Sequence, residues 1–66
     1  MEIKVTIGEK KELKEFPPNL TVKEMLDLME VPSETVVVKK NNCIVIDEEV
    51  LEDGDELEVI QVIYGG

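Results

Sequence analysis

The sequence predicts an α+β fold in which a mixed sheet of four to five strands is covered on one face by one main helix. Strict apolar alternation at Ile3, Val5 and Ile7 marks a half-buried strand. A single stretch of helical spacing follows at 21–30, behind a recognisable start signal. The β-rich segment E-L-E-V-I-Q-V-I-Y at 56–64 supplies the longest strand candidate.

The chain has 66 residues, enough for one domain. A chain of that size buries only about 60% of the surface its unfolded form exposes, so its core must be simple. The first strand runs from Glu2 to Ile7, and Gly8-Glu9-Lys10-Lys11 supplies a turn into a weaker second strand at Glu12 to Phe16. Pro17-Pro18-Asn19 ends that hairpin. A helix then starts at Val22, because Thr21 and Glu24 fit a capping box and Leu20 and Met25 fit a hydrophobic staple. Val22, Met25, Leu26 and Met29 form its apolar stripe, Leu28 borders that stripe, and Pro32 marks the stop soon after Glu30. The two methionines read as core filler.

Thr35 to Lys39 is rich in β-branched residues, Lys40-Asn41-Asn42 is turn chemistry, and Cys43 to Ile46 is another short apolar run. These are strands three and four. The turn Asp53-Gly54-Asp55 launches the fifth. One hairpin before a helical crossover and a long strand after it is the plan of a β-grasp, or ubiquitin-like, fold, in which a parallel pairing requires a right-handed connection. On this reading residues 1–64 form one domain and 65–66 a flexible tail.

Composition narrows the function. Sixteen Asp and Glu against seven Lys, with no Arg or His, give a net charge of -9, which repels phosphate backbones and anionic lipid. No nucleic acid and no membrane is expected as a partner, and with no spanning segment or secretory h-region the expected location is the cytoplasm. A lone Cys43 and no histidine predict no disulfide, no metal and no bound cofactor. Cys43 also lacks a base to activate it and reads as a small, partly buried strand residue. The acidic groups Asp47-Glu48-Glu49 and 52–56 depart from calcium-loop spacing, with Leu51 where a ligand would be needed. They read as a solvated face, or as a means of steering a basic partner.

Gly65 and Gly66 are thin enough to pass through a channel that excludes branched residues, and they leave only a carboxylate as chemistry. That carboxylate becomes an acyl donor only after another enzyme activates it, because the chain has no phosphate-cradling motif and no arginine. The competing reading of the dipeptide is a frayed terminus.

Four features in order carry a resemblance: Thr21-Val22-Lys23-Glu24-Met25-Leu26 opening the helix, Val36-Val37-Val38 followed by Asn41-Asn42, D-G-D-E-L-E-V-I at 53–60, and the terminal Gly65-Gly66. Together they resemble the ThiS/MoaD family of sulfur-carrier proteins over essentially the whole chain. The resemblance implies a carrier and not an enzyme. A ubiquitin-activating-type partner would use ATP to adenylate the carboxylate of Gly66, a persulfide protein would donate sulfur to make a thiocarboxylate, and an acceptor synthase would receive it. The stretch N-N-C-I-V-I-D and the short length look closer to the thiamine (thiazole) type; Tyr64 before the glycines departs from that type, and the proline-containing approach of molybdopterin carriers is absent. Delivery to molybdopterin or tRNA, a ubiquitin-like modifier joined to lysines, and a plain adaptor remain the alternatives.

With Leu57, Val59 and Ile63 facing the helix, alternation places Glu58, Ile60, Val62 and Tyr64 on the open side of the sheet, joined by Val37 opposite Val36 and Val38. Val37, Ile60, Val62 and Tyr64 are the expected partner-binding residues. A covering element or a second copy would account for the same apolar positions, and a slip of one residue would exchange the two faces.

Overall fold

The computed structural model describes residues 1–62. Five strands and one helix follow in the expected order: β1 (Glu2–Ile7), β2 (Lys10–Glu15), α1 (Val22–Leu28), β3 (Val36–Lys40), β4 (Cys43–Val45) and β5 (Glu56–Gln61), with a 3-10 turn at Ser33–Thr35 before β3. The sheet order is β2-β1-β5-β3-β4. β1 and β5 pair in parallel, and the other neighbours are antiparallel. This is the mixed-sheet β-grasp architecture.

Side-chain composition explains that order. The strands whose alternate residues are apolar occupy the middle: Ile3 and Val5 of β1 and Leu57 and Val59 of β5 are all buried. The register Val5↔Leu57 and Val38↔Val59 sets them on one face, continued across β3. β2 reads K-K-E-L-K-E and takes an edge, where its charges stay in water. It spans Lys10–Glu15, starting two residues and ending one residue earlier than its sequence suggests, because Gly8 adopts φ +60 at the first position of a two-residue loop, the pattern of a II′ turn. Phe16 then leaves the strand and buries its ring in the core.

The helix begins as its start signal predicts. The Glu24 N–H donates to Thr21 Oγ1 at 3.2 Å while the Thr21 N–H donates to Glu24 Oε1 at 3.0 Å. Two further N-terminal donors, Val22 N–H and Lys23 N–H, reach the carbonyls of Glu49 and Asp47 at 2.9 and 3.0 Å. The loop before β5 is thereby stapled to α1, so the free donors of the first turn are satisfied by backbone. Val22, Met25 and Leu26 are buried among Ile3, Val5, Phe16, Leu20, Val38, Leu51, Leu57 and Val59. Each such side chain contributes about 1.5–3 kcal/mol by leaving water. Met29 packs partly buried against this cluster.

The helix stops earlier than expected, at Leu28. Glu30 takes φ 60, and the Val31 N–H turns back to the Leu26 carbonyl at 2.9 Å, so a left-handed cap and not Pro32 ends the helix. Leu28 does not border the apolar stripe: it is 59% exposed, because the seven-residue helix turns its core face through Met25 and Leu26 instead.

Asn41 and Asn42 have φ 49 and 75, the two positive values a type I′ hairpin turn needs between paired Lys40 and Cys43. The turn at 53–55 joins the ends of two strands. Gly54 at φ +89 donates its N–H to the Glu2 carbonyl, Asp53 Oδ1 accepts from the Glu2 N–H at 2.6 Å, and the Lys4 N–H reaches the Asp55 carbonyl. β5 is thereby delivered beside β1. Among the described residues no helix is long and apolar enough to cross a membrane.

Candidate docking face of the sheet

The core uses one side of every central strand, so the alternate side chains must face outward. Register places them in rows: Lys4 opposite Glu56, Thr6 opposite Glu58, Glu58 opposite Lys39, and Val37 opposite Ile60. Lys4 Nζ lies 3.7 Å from Glu56 Oε1. The cations Lys4 and Lys39 thus alternate with Glu56 and Glu58 on an otherwise acidic molecule, and Val37 and Ile60 form an apolar pair at one end. Ile60 is 37% exposed and Val37 is half-buried by its neighbours.

Val37 and Ile60 therefore stand on the open face, in the register that alternation predicts. Val62 lies just past β5, half-buried, with its N–H donating to the Thr35 carbonyl at 2.9 Å. Ile63 and Tyr64, assigned to the two faces by the same alternation, lie outside the described residues, as do Gly65 and Gly66. Among the described residues no further strand or helix is available to cover this face, because α1 is committed to the core side.

Two apolar residues extend the face beyond the sequence assignment. Ile44 pairs with Lys39 and shares its side, 70% exposed, and Ile46 follows two positions later at 68%. The alternation in C-I-V-I was legible, but only the pairing of β4 with β3 sets Ile44 beside Lys39. Cys43 is exposed, not partly buried. It opens the edge strand β4 directly after the Asn41-Asn42 turn, where little packs against it.

The acidic loops are not merely a solvated face. Asp55 is only 12% exposed, accepting from Asn41 Nδ2 at 3.1 Å and from the Glu52 N–H at 2.7 Å. Lys40 Nζ donates to Glu49 Oε2 at 2.7 Å and to the Val50 carbonyl, and lies 3.9 Å from Asp55 Oδ2. The Glu49 hydrogen bond, with the nearby charges of Glu49, Asp55 and Glu52, holds the Lys40 ammonium above its ordinary pKa against the cost of partial burial. These carboxylates tie the end of β3 and its turn to the loop before β5. Among the described residues no three cysteine or acidic side chains converge as a metal site.

Across the described residues the arrangement offers an apolar and charge-alternating surface. Structural comparison finds the thiamine biosynthesis protein ThiS from Geobacter metallireducens, 27% identical with a TM-score of 0.70, covering 100% of both chains. SAMP1 from Haloferax volcanii matches with a TM-score of 0.76 at 16% identity, again over 100% of both chains. A complex of subunits 1 and 2 of the molybdopterin-converting factor from Helicobacter pylori matches at 0.70 and 16%, with 100% of both chains covered. The last two share the fold. Comparison with curated proteins gives no significant match. The sequence profile described as the ThiS family, however, matches residues 2–66, and by that match over almost the whole chain the protein belongs to the ThiS family.

Proposed function

We propose that the chain is a sulfur carrier whose C-terminal Gly66 carboxylate is adenylated by an ATP-dependent partner enzyme and converted to a thiocarboxylate. The observation that carries this reading is the family match running through Gly65 and Gly66, behind a fold that leaves one sheet face open. The carboxylate attacks the α-phosphate of ATP and releases pyrophosphate. A persulfide sulfur then displaces AMP, and a thiol reduces the resulting acyl disulfide to leave the thiocarboxylate. The adenylating enzyme docks on Val37, Ile60, Val62 and Tyr64, with Ile44 widening the contact. The chain itself supplies no catalytic residue.

Likeness to the Geobacter metallireducens thiamine biosynthesis protein favours thiazole formation as the destination of the sulfur. The test is the intact mass of protein isolated from its native cells under thiol-free conditions, with Gly66 localised by fragmentation. An oxygen-to-sulfur exchange at that carboxyl is the expected result. Isopeptide linkage of Gly66 to lysines would make the protein a modifier, and a free carboxylate in every preparation would overturn the carrier reading.

A further inference from the structure

The two edges of the sheet are unlike. β2 carries K-K-E-L-K-E, five charges in six residues that oppose strand addition. β4, at the other edge, is Cys43-Ile44-Val45 with no charge, proline or bulge. In the two-residue hairpin Lys40 and Cys43 form the hydrogen-bonded pair, so Lys39 and Ile44 form the next, non-hydrogen-bonded one. The N–H and C=O of Ile44 therefore point away from β3, toward open solvent. Ile44 and Ile46 stand 70% and 68% exposed along the same edge, and Asp47 and Glu48 follow immediately.

We propose that β4 accepts an extended segment of a partner protein as an added strand, a segment that alternates apolar residues with lysine or arginine. Its backbone pairs with the Ile44 N–H and C=O, its apolar side chains lie over Ile44 and Ile46, and a cationic residue meets Asp47 and Glu48. Charge decides between occupants. A second copy brings another -9 to an already acidic molecule and is repelled, whereas a basic segment is attracted from a distance. A three-residue edge permits only a short ladder, so the contact is weak and side chains carry the selectivity. This site shares the Ile44 side chain with the proposed adenylating-enzyme contact, but strand addition uses the outward edge of β4 and needs neither Gly66 nor that enzyme.

The test is a titration of the 15N-labelled full chain with an acetylated and amidated hexapeptide of alternating lysine and valine. The expected result is a shift and slowed exchange of the Ile44 amide with no change at Lys10–Glu15. The same peptide with glutamate in place of lysine should bind about tenfold more weakly, and so should the chain carrying Ile44→Lys, an exposed substitution whose spectrum reports that the fold is intact. Absence of a response at Ile44, an equal response to both peptides, or shifts on the open face without slowed exchange of the Ile44 amide would each overturn the proposal.

Discussion

Val37 stands directly opposite Ile60 across β3 and β5, on the side of the sheet away from the helix. Cross-strand apolar pairs of this kind are where an interface places its few energetic contacts, surrounded by charged neighbours that exclude water. Here those neighbours are Glu58 and Lys39, themselves a register pair. Ile60→Asp should weaken adenylation by the cognate enzyme about tenfold or more through lost apolar contact and an unpaired carboxylate. The melting temperature should move little, because Ile60 is already 37% exposed. ATP–pyrophosphate exchange with the cognate enzyme, read beside a thermal melt, checks both; unchanged exchange would remove the open face from the docking surface.

Lys40 links β3 to the loop at Glu49 and to Asp55. Lys40→Met leaves Glu49 without its cation and should cost about 1–2 kcal/mol at neutral pH. Because the folded-state pKa of Lys40 is raised, its contribution is fully present below the unfolded value of about 10.4 and is lost as pH climbs through the higher folded value. Urea midpoints measured from neutral to strongly alkaline pH should therefore converge for wild type and variant only at the alkaline end. A gap of constant size across that range would contradict the assignment.

Glu30 holds φ 60 at the end of α1 with a side chain that gains nothing from that conformation. Glycine adopts it without steric cost, so Glu30→Gly should stabilise the fold by about 0.5–1 kcal/mol despite the added freedom of its unfolded state. Chemical denaturation gives the answer directly.

Met25 is fully buried where α1 meets the sheet. Met25→Ala should cost about 2–5 kcal/mol, against a total for small domains near the low end of about 5–15 kcal/mol. Thermal unfolding followed by circular dichroism should show a melting temperature lowered by about 8 °C or more.

Cys43 is exposed at the hairpin end. Cys43→Ser should leave both the melting temperature and thiocarboxylate formation unchanged, as the same mass measurement on the variant would report. A lost thiocarboxylate would assign the thiol a part in sulfur handling.

By itself the sequence determined the local elements and much of the fold. Period-two alternation at Ile3, Val5, Leu57 and Val59, the Thr21–Glu24 box and the asparagine turn are short-range signals, and each depends on neighbours a few residues away. The apolar pair Val37 and Ile60 was legible for the same reason. What lay beyond reach depended on which strands become neighbours. Ile44 joins the open face only through its pairing with Lys39, and β4 is left as an accessible edge because β5 pairs with the other side of β3 and not with β4. Asp53 and Asp55 look like surface charge until tertiary structure brings them to the Glu2 N–H and to Asn41, and Leu28 looks apolar-facing until the packed core selects the Val22, Met25 and Leu26 side of the helix. Side-chain period is a property of the chain, whereas pairing partners and the far ends of hydrogen bonds are set by long-range closure, which only the folded molecule decides.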